Sequence, residues 1–281
     1  MRKFYTLKYD AVFKNIFLKD EELLKIFLTN IMSLFYDDFK IDYLEVKNGE
    51  LTKNRLYIKN KTVDILVKTD NKIINLEVNT NYDETTKNRN LCYLLNSVVE
   101  GVHKDGDYQF NCDYIQLNFN FLGKHKKGIE SYHFNEDNSK KLLTKSIRII
   151  NINVDYYYSR WYNEINKKEF FEKYKDIIIM NFSKDDFSKI KDSDIYMDRI
   201  KKDIELLNKD EEFYQWMSDE EDKERIYKTR YQEATKQGEL QGKTEAKQEF
   251  VKEMLNDNVD IETICKYTKL SKEEIEELRN S

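Results

Sequence analysis

Two acidic residues lie in a segment whose pattern is typical of a β-hairpin, TVDILVKTDNKIINLEVN, residues 62–79. Asp64 belongs to one run of alternating side chains and Glu77 to the next. Asp70 and Asn71 stand between the runs, and both residue types tolerate the positive φ of a two-residue turn. With that turn, counting back along both strands places Asp64 directly opposite Glu77.

Opposed carboxylates have Cβ atoms about 4.5–5.5 Å apart and repel each other. A shared divalent cation turns the repulsion into coordination, and Mg²⁺ is commonly held by one or two carboxylates with waters and phosphate oxygens. Such an ion polarises a phosphate and lowers the pKa of a water. Asn79 shares the strand face of Glu77 and can orient a water or a phosphate. The competing interpretation is a solvated acidic face, and a one-residue shift of the turn separates the pair.

The elements around the hairpin predict an α/β fold. Residues 8–35 carry apolar side chains at helical spacing, as one amphipathic helix or two short ones, and a further helix runs from Tyr82 to about His103. The predicted strands cover residues 42–47, 55–59, 62–69, 72–79, 113–121 and 146–154. Along 113–121 the side chains that share one face are Tyr114, Gln116, Asn118 and Asn120. Helices and strands in this order predict a sheet with helices packed on it.

The C-terminal part is mostly helical in pattern. Charge dominates residues 196–250, which predicts a solvated helix, and residues 251–281 recover apolar spacing. In that tail Ser271 followed by Glu274 fits a capping box. We therefore expect a main domain over residues 1–195, a charged helical segment and a small helical tail. A homodimer through the C-terminal helices is left open.

Composition narrows the classes of protein. The formal net charge of −5 argues against a globally basic nucleic-acid coat protein, although a local basic surface is enough to bind DNA. Three cysteines without metal-ligand spacing favour a reducing cytoplasm, and three histidines make a His-rich zinc site unexpected. No apolar run approaches the length of a membrane span.

Several motifs together resemble a known family. The hairpin resembles the PD-(D/E)xK nuclease superfamily, in which a strand Asp precedes an acidic-x-Lys strand. More closely, YDAVFKNIF at 9–17 resembles the Asp-x-x-Phe-Lys-x-x-Phe opening of the Rpn family of recombination-promoting nucleases and transposases. VDILV and INLEVN resemble its Asp and Glu-x-Gln strands, and Arg89 and Tyr93 fall where it carries an Arg and a Tyr. The charged helical segment, which contains Gly238 and Gly242, and the C-terminal tail also resemble the corresponding parts of family members.

The resemblance implies a PD-(D/E)xK-like mixed sheet flanked by helices, with a helical C-terminal extension. It implies cleavage of DNA phosphodiester bonds with Mg²⁺, for which Mn²⁺ can substitute. Asp64 and Glu77 become the metal ligands, and Asn79 takes the place of the family's Gln, itself a departure from the superfamily Lys. Because Asn79 cannot supply positive charge, Lys14 is the first candidate for the catalytic cation. Asp10 is either a further acid near the metal or a helix N-terminal acid favoured by the macrodipole.

Two groups of side chains are candidates for contact with DNA, and each group also has a purely structural interpretation. Arg89 and Tyr93 are four residues apart on a helix and share a face. Either Arg89 clamps a phosphate while Tyr93 stacks on DNA or hydrogen-bonds to it, or the two side chains simply pack together as a surface arginine on an aromatic ring. The lysines of the loop KHKK, Lys124, Lys126 and Lys127, either contact the DNA backbone or belong to a solvated loop.

The leading hypothesis is a DNA endonuclease linked to recombination, mobile elements or defence. A catalytically weak or inactive nuclease fold that binds DNA or a protein is the alternative, and Asn79 in the Lys position favours it. A third hypothesis is an interaction protein that assembles through its C-terminal helices.

Overall fold

The computed structural model describes residues 2–47, 64–81, 83–105, 110–123, 127–190 and 194–280. The chain divides into two compact units, Met1–Asp210 and Glu211–Ser281. The strand predicted over 55–59 and the first residues of the strand predicted over 62–69 lie outside the described residues.

The first unit alternates helices and strands. It begins with α1 (Asp10–Lys19), α2 (Glu21–Met32), β1 (Leu44–Lys47), β2 (Ile65–Thr69), β3 (Lys72–Asn79) and α3 (Glu84–Asp105). It continues with β4 (Asp113–Asn120), β5 (Ile129–His133), β6 (Ile147–Asn153), α4 (Val154–Asn163), α5 (Lys167–Ile178), a 3-10 turn (Ile179–Asn181), α6 (Lys184–Lys189) and α7 (Ile195–Lys209). This order confirms the predicted α/β class, with two helices over residues 8–35.

The described strands form one six-stranded mixed sheet in the order β1-β2-β3-β4-β6-β5. Strands β1, β2 and β3 are antiparallel neighbours, β3, β4 and β6 are parallel, and β5 is antiparallel to β6. Ile65 pairs with Leu76 and Lys68 with Ile73, which is the register predicted from a turn at Asp70. The Asp70 carboxylate also accepts the backbone N–H groups of residues 42 and 43, so the turn anchors the start of β1.

The sheet has one apolar and one largely polar face. On the apolar face Phe13 of α1 and Phe27 of α2 lie against Phe119 of β4, with ring centroids 6.2 and 5.5 Å from it. Helix α3 covers the other face, where the Asn90 side chain donates to Oδ1 of Asn118 over 2.9 Å. The faces differ because β3 and β4 alternate apolar side chains with amides and an acid.

Two features of the first unit were not predicted. Strand β5 is a sheet edge whose residues are half-buried or exposed, so its sequence lacks the alternation that marks a half-buried strand. Helix α7 belongs to this unit, because the Asn208 side chain bonds both the N–H and the carbonyl of Tyr5, at 2.8 and 2.7 Å. The unit therefore extends past the predicted boundary at residue 195.

The second unit consists of α8 (Glu211–Asn256), α9 (Ile261–Thr268) and α10 (Lys272–Asn280). Met217 and Val251 are the buried side chains of α8, which agrees with the predicted solvated helix. Val251, Ile264 and Ile275 form a small core. The capping box is present, with Ser271 N–H donating to Glu274 over 2.7 Å. None of the helices in the described part of the chain has the apolar length that a bilayer crossing needs.

Candidate metal centre

The two predicted acids meet at the end of the hairpin. Asp64 lies just before β2, and its backbone N–H donates to Oε1 of Glu77 in β3 over 3.1 Å. In return the N–H of Val78 donates to Oδ2 of Asp64 over 2.8 Å. Both carboxylates are largely buried, with 12% and 3% of their side-chain surface exposed. The sequence-derived register thus places the acids side by side, as expected.

Lys14 reaches this pair from helix α1. Its Nζ lies 2.9 Å from Oδ1 of Asp64 and 2.9 Å from Oδ2 of Asp10, one helical turn earlier. The lysine expected to supply the missing cation is therefore in contact with one of the acids. Lys14 precedes Asp64 by fifty positions in the chain. The two residues meet because α1 packs against the sheet beside β3.

Arg89 brings a second positive charge from the opposite side of the sheet. Its Nη2 lies 2.9 Å from Oδ1 of Asn79 and 3.4 Å from Oε2 of Glu77. The contact with the acid pair was not anticipated from the sequence. The available signal was the position of Arg89 near the start of the helix that follows the Glu77 strand, because that helix returns over the strand end it has just left. Helix α3 thus places a guanidinium beside Glu77 and Asn79.

The environment shifts the pKa of each group. Burial, and then the charge of Asp64, raise the pKa of Glu77 to about 8, and Arg89 offsets part of this. Burial also raises the pKa of Asp64, although Lys14 and the Val78 N–H pull it back. Burial disfavours the Lys14 ammonium, but Asp64 and Asp10 outweigh that and raise its pKa. Burial is therefore the main reason why the charged forms of the two acids are disfavoured, and a divalent cation bound by both carboxylates would favour those charged forms.

The donor set fits a hard divalent cation. Two buried carboxylates face each other, and each oxygen that accepts a hydrogen bond here keeps lone-pair capacity for a metal. Oxygen ligands of this kind suit Mg²⁺ or Mn²⁺, with water and phosphate completing the shell. No third His, Cys, Asp or Glu joins them as a ligand group in the residues that the structure describes. Asp10, predicted either as a further acid near the metal or as a helix N-terminal acid, is the first residue of α1 and shares the Lys14 ammonium with Asp64, so both interpretations stay open.

The structure describes two of the side chains predicted to contact DNA in this part of the chain, Tyr93 and Lys127. The ring of Tyr93 is buried against Leu66 and lies 5.9 Å from the Arg89 guanidinium, so stacking on a base is not available to it in this arrangement. This burial agrees with the packing interpretation of Tyr93, and a hydrogen bond from Tyr93 to DNA stays a prediction. Lys127 is 70% exposed and pairs with Glu130 at 3.3 Å. The other two lysines of that loop, Lys124 and Lys126, lie outside the described residues.

A group of amide side chains extends from the acid pair beneath α3. Glu77 stands next to Asn118 across β3 and β4, and one step further along the strands Asn79, Asn120 and Asn153 stand in register. These residues lie at the carboxyl ends of the parallel strands, where open α/β sheets usually bind ligands. The alternation that places Asn118 and Asn120 on one face of β4 is visible in the sequence, but their burial together with Glu77 and Asn79 is not.

Comparison of the chain with family models, with curated proteins and with solved structures found no match in any of the three.

Proposed function

We propose that this chain is a metal-dependent DNA endonuclease of the PD-(D/E)xK type, similar to the Rpn family, with Mg²⁺ as cofactor and Mn²⁺ as a substitute. The observation that carries the proposal is the contact between Asp64 and Glu77, with Lys14 and Arg89 on either side of them. Two acids beside two cations, at the end of a β-hairpin, are the set of groups that metal-assisted phosphodiester hydrolysis uses.

Each side chain has a role that follows from its position. Asp64 and Glu77 hold the metal ion through their carboxylate oxygens. When bound, that ion supplies a Lewis acid for the scissile phosphate and lowers the pKa of an attacking water. Lys14, held 2.9 Å from Asp64, keeps positive charge beside the phosphate as negative charge builds up.

Arg89 binds and orients the substrate in this scheme. Its side chain is 44% exposed, so part of the guanidinium faces solvent while one nitrogen holds Glu77 and Asn79. A guanidinium with spare donors is well suited to a phosphate oxygen. Asn79, with its carbonyl oxygen committed to Arg89, positions that guanidinium and does not replace a catalytic lysine.

The proposal is tested by incubating the purified protein with supercoiled plasmid DNA in Mg²⁺, in Mn²⁺ and in EDTA. We expect nicking with either metal and none in EDTA. Asp64→Asn and Glu77→Gln, which keep shape and remove charge, should each reduce the rate at least a hundredfold. Activity that persists in both variants would overturn the site assignment. Circular dichroism of both variants shows whether the fold is retained.

One observation favours a second candidate, an inactive nuclease fold that binds DNA or a protein partner. Lys14 and Arg89 already contact Asp64 and Glu77, so the described acids are partly neutralised without a metal. Plasmid binding with no nicking under any metal supports this candidate. Self-association through α8–α10 stays a prediction, and sizing of the full chain tests it.

A further inference from the structure

Strand β5 forms one edge of the sheet, and half of its backbone groups face away from the neighbouring strand. Within the described part of the chain β6 is the strand that pairs with β5. The backbone N–H of Asn153 in β6 donates to the carbonyl of Gly128, just before β5, over 2.8 Å. Because the direction of hydrogen bonding alternates along a strand, Ile129, Ser131 and His133 direct their N–H and C=O groups to the open side.

This edge lacks the features that commonly prevent an edge strand from pairing. Natural sheets protect their edges with lysine, proline or a bulge, and β5 contains none of these along its five residues. Its carboxylate, Glu130, is paired with Lys127 at 3.3 Å. Tyr132 is 49% exposed, and Phe134, two residues further along the same face, is 41% exposed. The edge therefore offers apolar surface and a compensated charge to a partner strand.

We infer that the open edge of β5 binds the same edge of a second copy of this chain, antiparallel and with Ser131 on the two-fold axis. In this register Ser131 faces Ser131 of the copy, and Ile129 faces His133. Every outward backbone group of β5 then has a partner, in about six hydrogen bonds. A shift by one residue makes fewer of these bonds, and the shift that centres on Glu130 also sets two carboxylates against each other.

A second copy is favoured over an unrelated strand because β5 complements itself. Glu130 stands opposite Tyr132 of the copy, which sets an acceptor beside a hydroxyl donor, and no two like charges meet in this register. The exposed rings of Tyr132 and Phe134 lie on the face that the pairing extends. A two-fold contact uses the same edge of both chains, so it closes as a dimer and leaves neither β5 edge open.

Sedimentation velocity of the full chain over a range of concentrations tests the interface. The wild-type chain should show a reversible monomer–dimer equilibrium. Ser131→Pro removes an outward N–H that β6 does not use, and its ring obstructs the second strand, so the association constant should fall about tenfold or more. Ser131→Ala is the matched control. It removes the hydroxyl that accepts from Nε of Arg148 over 2.8 Å but keeps the backbone N–H, so self-association should be retained.

Disulfide cross-linking tests the register. In Ser131→Cys the two thiols face each other on chains whose Cα atoms are about 5.5 Å apart, which a disulfide can span. Oxidation with diamide should give a covalent dimer linked through residue 131, as peptide mapping shows. Ser139→Cys, exposed in the turn that follows β5, should give no such dimer. The wild-type chain measures the background from its three native cysteines.

Three outcomes overturn the inference. They are a wild-type chain that is monomeric at every concentration, equal self-association of wild type and Ser131→Pro, and a dimer that does not cross-link through Ser131→Cys. Equal self-association would assign the contact to another surface, such as α8–α10. Circular dichroism shows whether Ser131→Pro keeps its fold, and if it does not, the cross-link decides the result.

The interface does not depend on the proposed nuclease function, and plasmid nicking is measured separately. A chain that dimerises through β5 but never nicks DNA refutes the nuclease and leaves the interface in place. Nicking by a chain that stays monomeric does the reverse.

Discussion

The backbone N–H of Asp64 donates to the Oε1 atom of Glu77 over 3.1 Å, and the backbone N–H of Val78 donates to the Asp64 carboxylate over 2.8 Å. Each acid is thus held by the backbone of the other's strand. Because backbone donors do not titrate, they hold the two carboxyl groups together over the whole pH range in which the fold persists. The acid pair is consequently held in one arrangement whether or not its carboxyl groups are ionised.

The first prediction concerns stability without metal. The pKa of Glu77 is about 8 in the folded chain and 4.5 as its ordinary value. Between these values the folded chain holds a proton that the unfolded chain has released, so this group makes the free energy of unfolding fall as pH rises from about 4.5 to about 8. Glu77→Gln should lose this contribution. Urea unfolding in EDTA at several pH values measures it, and parallel pH profiles for the two proteins would contradict it.

The second prediction links metal binding to protons. A metal ion that takes both carboxylates must displace the proton that Glu77 keeps below about pH 8. We expect the apparent Mg²⁺ affinity to rise about tenfold per pH unit between about pH 6 and about pH 8, as release of one proton requires. Calorimetry in two buffers of different ionisation enthalpy counts the protons. Affinity that does not change with pH would show that Glu77 is not a ligand or is already ionised.

The third prediction concerns Lys14. In Lys14→Met the Asp64 carboxylate loses its 2.9 Å ion pair, while the apolar part of the side chain is kept. The metal-free protein should lose about 1 kcal/mol of stability, a value kept low because the lysine is 29% exposed. Nicking activity should fall at least tenfold. Lys19→Met is the control, since Lys19 is exposed in the last turn of the same helix and should leave activity unchanged.

The fourth prediction concerns Arg89. Lysine retains the charge but lacks the planar fork that lets one arginine hold Glu77 and Asn79 while offering further donors to a phosphate. Arg89→Lys should therefore lower nicking about tenfold or more and weaken DNA binding, with the thermal midpoint nearly unchanged. Lys87→Met, an exposed change on the same helix, is the control. Full activity in Arg89→Lys would mean that charge alone is needed at this position.

Local patterns were enough to predict the hairpin and its acid pair. A two-residue turn and strict alternation determine which residues oppose each other, and both are properties of neighbouring residues. The helices α1 and α2, the solvated α8 and the capping box at Ser271 follow from equally local rules. The edge strand β5 escaped prediction because most of its residues stay partly exposed, which leaves no apolar alternation to recognise.

The assembly of the site was decided by tertiary structure. Lys14 was only a candidate in the sequence, and its contact with Asp64 depends on how α1 docks against the sheet. Arg89 reaches Glu77 because α3 folds back over β3, and Asn120 meets Asn79 because β4 lies parallel to β3. The sequence by itself determined which acids share a hairpin, since that pairing is set by one short turn. Packing between distant segments decided which cations and amides surround them, since no local spacing encodes the position of one helix on a sheet.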